Sequence, residues 1–195
     1  MKQVRFFLWS FLLSVILSPA LHAATYEIDP AQSEVKFKIR SWFFHVGGRF
    51  KDFKGSVQYD PKDSSSWSTE AVIQTSSIDT KIGSRDKHLR SPDFFDAARF
   101  PAITFKSTGV SNVTASSAKL NGELTLHGVT KPVVLDLKIK DGGDAKDQTH
   151  AHFTATGTLD RKDFGMTWNK AAEGGGMIIG HDVKVTIEIE AVRKS

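Results

Sequence analysis

Along most of its length the chain alternates apolar and polar side chains one residue at a time, and this constrains its fold more than any other feature. A period of two marks β-strands with one buried face, because successive side chains point to opposite sides of a strand. Val35, Phe37 and Ile39 alternate with Lys36, Lys38 and Arg40. Phe53, Val57 and Tyr59 share a face with Gly55. Ile103 with Phe105, Leu120 with Leu124 and Leu126, and Val133 through Leu135 and Leu137 to Ile139 repeat the pattern. So do Phe153, Ala155 and Leu159, and then Val183, Val185, Ile187 and Ile189. Thr69 to Ile78 is rich in β-formers without a clear phase, and counting it gives about eight strands. Turn-forming clusters at 60–63, 141–144 and 174–176 separate strands, the last reading as a flexible hairpin.

One stretch departs from the pattern. Ser84 to Arg90 is polar apart from Leu89, and Ser91-Pro92-Asp93 reads as a second helix start with Ser91 as N-cap. A helical insertion is therefore expected over Lys81 to Ala98, carrying Phe94 and Phe95. The fold class is all-β, in one domain. Antiparallel strands with one apolar face must hide it, either in a closed barrel or between two packed sheets. An eight-stranded barrel can be filled by its own side chains or can hold one small ligand. Alternation does not decide between these. Several aromatics lie outside the clean strand faces: Trp42, Phe43, Phe44, Phe94, Phe95, Phe164 and Trp168. The small residues Gly55, Ala155 and Gly157 on apolar faces are expected to leave room inside.

The beginning of the chain has a different character. Lys2 and Arg5 precede an apolar run from Phe6 to Leu17, followed by Pro19 and small residues. This is the layout of a secretory signal peptide, expected to span residues 1–23 with cleavage after Ala23, leaving 24–195 as the mature domain. Without Lys2 and Arg5, 24 basic residues face 22 acidic ones, so the basic pI gives no reason to expect a nucleic-acid partner. There is no cysteine, which excludes a thiolate metal site, a cysteine nucleophile and a lipidated cysteine. No other apolar stretch approaches transmembrane length.

Several words in the sequence are specific. They are Ser77-Ile78-Asp79-Thr80, Arg85-Asp86-Lys87-His88-Leu89-Arg90-Ser91, Asp93-Phe94-Phe95, the run from Gly122 to Val133 containing Gly128-Val129-Thr130-Lys131-Pro132-Val133, and Lys162-Asp163-Phe164-Gly165-Met166. In order and spacing they resemble the YceI-like family. The resemblance implies a single eight-stranded, lipocalin-like antiparallel barrel in a periplasmic protein, binding a long-chain amphiphile such as a polyisoprenoid. It implies no cofactor and no catalysis, and it leaves a homodimer open. Two positions depart from the family pattern, with Gln32 and Ser41 where histidines are frequent. Both can hydrogen-bond, but neither can gain charge.

On that reading the lipid-binding candidates are Phe37, Ile39, Phe53, Val57, Phe94, Phe95, Phe105, Phe153, Phe164, Trp168, Val185 and Ile187. Arg85, Asp86 and His88 are candidates for the headgroup, with helix-start and ion-pair roles as the structural alternative. His150 and His152 have a spacing that can bind metal, with His45, His88, His127 or His181 to complete a site, but such histidines more often face solvent. No Gly-x-Ser-x-Gly elbow, carboxylate pair or phosphate-binding glycine loop is evident. The alternatives to a carrier are a hydrolase or isomerase acting on a lipid at the barrel mouth, and a stress-related structural protein with a filled barrel.

Overall fold

The computed structural model describes residues 23–42, 44–140, 149–169 and 179–194. The expected leader lies outside them except for Ala23, as do Phe43 and the turns at 141–144 and 174–176. The strands are β1 (Ala24–Ile28), β2 (Glu34–Ser41), β3 (Phe44–Phe50), β4 (Phe53–Tyr59), β5 (Ser68–Gln74), β6 (Ile78–Asp79), β7 (Ala102–Ser111), β8 (Ser117–Leu126), β9 (Val129–Ile139), β10 (His150–Asp160) and β11 (Ile179–Arg193). Among the described residues one short α-helix, α1, covers Gly83–Leu89.

The strands close on themselves. β1, β4, β5, β7, β8, β9, β10 and β11 pair in that order, all antiparallel, and β11 returns to β1 and closes the ring, with β9 and β10 joined over the shorter stretch Asp136–Ile139 against Phe153–Thr156. β2 and β3 extend the wall towards one end. β11 pairs with β2 between Ile179 and Glu188, and with β1 from Ala191 to Arg193, so β1 and β2 are two halves of one interrupted wall strand. At the interruption the backbone groups of Glu190 still find partners: its carbonyl accepts from the Asp29 N–H (2.9 Å) and the Ser33 hydroxyl (3.2 Å). Ser33 Oγ also accepts from the Glu190 N–H at 3.0 Å. A buried backbone group left unpaired costs about 1–3 kcal/mol, which gives Ser33 a clear structural role. Gln32 lies exposed in the same turn.

Two sequence expectations need correction. β3 was hidden because Gly47 and Gly48 remove the side chains that would show its alternation, and Phe44 opens this strand although it read as a loop aromatic. The helical insertion is also shorter than 81–98. Ser91 does not cap a second helix, because turns follow it: its hydroxyl accepts from the Asp93 N–H (3.4 Å) as a cap would, but it also donates to the carbonyl of His88 (2.8 Å) at the end of α1. Residues after it form turns, with the Phe94 and Asp96 N–H groups both donating to the Ser91 carbonyl. In this turn Phe94 packs against His88 (ring centroids 5.0 Å apart) and Phe95 against Phe50 (5.8 Å). Adjacent residues of a helix diverge by about 100°, so a turn suits this inward pairing better.

The buried core is divided between the two ends of the barrel. One cluster contains Tyr26, Tyr59, Trp67, Leu120, Leu137 and Phe153. The other contains Phe50, Ile78, Ile103, Leu126, Phe164 and Met166. β8 shows the separation: Ala118 and Leu120 belong to the first and Leu126 to the second. Among the described residues no helix is long and apolar enough to cross a membrane.

Candidate functional site

Between the two clusters the barrel is not filled. A cavity of about 440 Å³ runs through it, with an almost wholly apolar wall, within the roughly 300–1,000 Å³ typical of small-molecule sites. The inward faces of β2, β4, β7 and β11 supply Phe37, Val57, Phe105, Val185 and Ile187. All of these are only half-buried, although the strand period turns them away from bulk solvent. In a filled barrel they would be fully covered.

The space has an identifiable origin. A Cβ on Gly48 would lie 2.4 Å from the Phe37 ring, and a Cβ on Gly122 would lie 2.4 Å from the Phe105 ring. Both aromatic rings therefore lie back against the sheet over a glycine and do not reach across the lumen. Gly157 repeats this arrangement, because its Cβ would lie 2.6 Å from Cδ2 of Leu135, another side chain of the cavity wall. Gly55 behaves otherwise, against the expectation that it leaves room: its Cβ would meet the Glu70 carbonyl at 2.4 Å, so this glycine permits close packing within the wall. Ala155 does face the cavity. Ala155→Phe is expected to cost about 1–3 kcal/mol in overpacking while excluding most of any bound chain. Thermal unfolding and ligand stoichiometry, measured together, check this; unchanged stoichiometry in a folded variant removes Ala155 from the wall.

All twelve apolar candidates line this one cavity. Phe53, Phe94, Phe153 and Phe164 are buried in its ends and sides. Ile39, Phe95 and Trp168 are half-buried and lie at the end where β2 finishes and β11 begins. There Trp168 packs on His88 (4.8 Å) and Phe94 (5.0 Å), an aromatic cluster drawn from two distant segments. At the opposite end Tyr59 packs on Trp67 (4.9 Å) and Phe153 (5.3 Å), and the Trp67 indole donates to the Asp60 carbonyl (2.6 Å). This second cluster forms a floor.

The polar candidates divide. Arg85 and His88 line the cavity, whereas Asp86 does not. Asp86 is buried and accepts from the Thr80 N–H (2.8 Å) and hydroxyl (2.5 Å). Arg85 donates from Nε to Thr80 Oγ1 (2.7 Å) and from Nη2 to the Thr80 carbonyl (2.8 Å). Arg85 and Asp86 thus converge on Thr80 and fix the approach to α1. His88 Nε2 lies 2.8 Å from Asp93 Oδ2. His150 and His152 sit near the start of β10, away from the three residues whose ligand atoms do converge, Asp160, His181 and Asp182.

Arg161 was missed by the sequence reading. It is only 3% exposed, follows directly on β10 and lines the cavity. The signal was present in the alternation: Phe153, Ala155, Gly157 and Leu159 run in steps of two, and the next step places a cation on the apolar face. Its Nε donates to the Gly180 carbonyl (2.9 Å), and its Nη1 to those of Met166 (2.5 Å) and Trp168 (2.9 Å). Burial lowers its pKa, opposed by the nearby Asp160.

An antiparallel barrel closed by eight strands around an unfilled apolar cavity places the protein in the class of lipocalin-like barrels. Residues 26–191 match the YceI-like domain, and the chain belongs to that family. It is 37% identical over 179 residues to "Protein YceI" of Salmonella arizonae, covering 88% of each chain. Among solved structures, BcnA of Burkholderia cenocepacia superposes with a TM-score of 0.74 at 21% identity, over 85% of this chain and 99% of that one. A domain of Saccharophagus degradans described as polyisoprenoid-binding superposes with a TM-score of 0.67 at 15% identity, over 88% and 99%. At these identities the two structures establish the shared fold.

Proposed function

We propose that this protein is a non-enzymatic periplasmic carrier that encloses the chain of a long amphiphilic lipid, of polyisoprenoid or similar type, in its barrel. The observation that carries this reading is the unfilled apolar cavity, whose wall residues stay half-buried inside a closed barrel. The relative described as polyisoprenoid-binding and the family membership support it. In this reading residues 1–23 are a leader removed on export, as the Lys2 and Arg5 start and the apolar run suggest, and 24–195 are the working domain. The polar side chains on and beside the wall support binding more than chemistry. Arg85 and Asp86 are engaged with Thr80, and His88 with Asp93, so each has a structural partner.

The test is extraction of the exported, purified protein with organic solvent, followed by mass spectrometry of both phases. The expected result is a polypeptide beginning at Ala24 and a long-chain lipid in near-equimolar amount. An extract without lipid, from a protein that also fails to take up added long-chain alcohols or acids, would overturn the carrier reading.

A further inference from the structure

The least explained group in the described part of the molecule is Arg161. Its Nη2 is buried and has no hydrogen-bond partner, the single such side-chain atom among the described residues. The three acceptors it does have are neutral backbone carbonyls, and among the described residues it forms no salt bridge with a carboxylate. A buried guanidinium with Asp160 nearby but no carboxylate hydrogen-bonded to it is costly, and its field is weakly screened by an apolar surround. The residue directly follows β10 and lies in the wall of the cavity proposed above to hold a lipid chain. Arg85, the other arginine of the wall, already directs two nitrogens at Thr80.

The structure assigns Arg161 the role of headgroup site: it takes the acidic oxygens of a carboxylate or phosphate at the end of the enclosed chain. The inference rests on the carrier reading and adds the chemical class of the ligand. Nη2 is covered in the ligand-free protein, so an arriving carboxylate or phosphate must first displace the packing over it; its oxygen can then accept from the spare Nη2–H and neutralise the charge, which a hydroxyl cannot do. The same contact would tie the ligand to the 161–168 segment, because Arg161 already holds the Met166 and Trp168 carbonyls.

The experiment compares palmitate, hexadecyl phosphate and 1-hexadecanol, which share one chain length, on the delipidated mature protein at pH 8. The two anions are expected to bind about tenfold or more tighter than the alcohol, as a charge-assisted hydrogen bond of roughly 1.5–3 kcal/mol implies. Inorganic phosphate alone should not displace them, which separates a lipid headgroup from a free-phosphate site. Arg161→Met should lower palmitate affinity about tenfold more than hexadecanol affinity. Because Arg161 also supports backbone, a second measurement avoids the variant: the guanidinium nitrogen resonances of Arg161 in the wild-type protein should shift with palmitate and stay in place with hexadecanol. Equal binding of anion and alcohol overturns the assignment, as do unmoved Arg161 resonances or a preference that disappears in Arg85→Ala and persists in Arg161→Met. If none of the three ligands binds, the carrier reading itself fails, whereas equal binding of all three overturns only the role of Arg161, so the two failures are distinguishable.

Discussion

Affinity for straight-chain ligands is expected to climb about three- to fourfold per added methylene until the cavity is full, and then to stop rising. Each methylene removed from water contributes about 0.8 kcal/mol, and 1.4 kcal/mol is a factor of ten. Six added methylenes therefore amount to an increase on the order of a thousandfold, reduced somewhat by ordering of the chain. The limit comes from geometry: Tyr59, Trp67 and Phe153 close one end, and an apolar wall admits more chain until it meets them. The slope should be nearly independent of salt. A Debye length of about 8 Å at physiological ionic strength weakens exposed charge pairs but leaves hydrocarbon burial almost unchanged. Calorimetric titrations with acids of increasing length, at low and at moderate salt, check this. Affinity that ignores length and collapses in salt would mean that the protein reads a headgroup at its surface, and the enclosed-chain mechanism would be wrong.

Removing the floor should have the largest effect on stability. Phe153 is buried, packs edge-on against Tyr59, and lies opposite Ile139 of β9 and Ile189 of β11. Phe153→Ala is expected to destabilise the ligand-free protein by about 3–5 kcal/mol, a large part of the roughly 5–15 kcal/mol typical of a domain. The lost ring also extends the cavity into the lower cluster. The ligand length at which affinity levels off should therefore increase, and saturating long ligand should recover part of the loss, about 2.7 kcal/mol at one hundred times Kd. Denaturant unfolding with and without ligand measures both effects. A large loss of stability with an unchanged length optimum would show that Phe153 supports the wall without ending the cavity.

These two experiments probe parts of the molecule that were unequally visible beforehand. The inward faces of β2, β4, β7, β9, β10 and β11 could be read from alternation, since a period of two forces Phe37, Val57, Phe105, Phe153 and Val185 onto one side of their strands. The all-β class and the apolar candidates followed from that local constraint, and the words shared with the YceI-like family pointed to the barrel. What alternation does not contain is distance across the sheet. Whether the interior is filled depends on Gly48 lying under Phe37 and Gly122 under Phe105, contacts across the β2–β3 and β7–β8 pairs that are set by the register of each pair and not by the alternation of either strand. Nor does alternation contain the turn geometry by which Thr80 draws in both Arg85 and Asp86, or the contact of Trp168 with His88 from far along the chain. Arg161 lies between the two cases. Its place on the apolar face was legible from its spacing, but its unpartnered nitrogen depends on how the backbone carbonyls of Met166, Trp168 and Gly180 are presented to it. The sequence by itself determined which side chains face inward, because that is set by the geometry of a single strand. The tertiary structure decided how much space they leave and which polar atoms remain unsatisfied there, because both depend on pairing between residues distant in the chain.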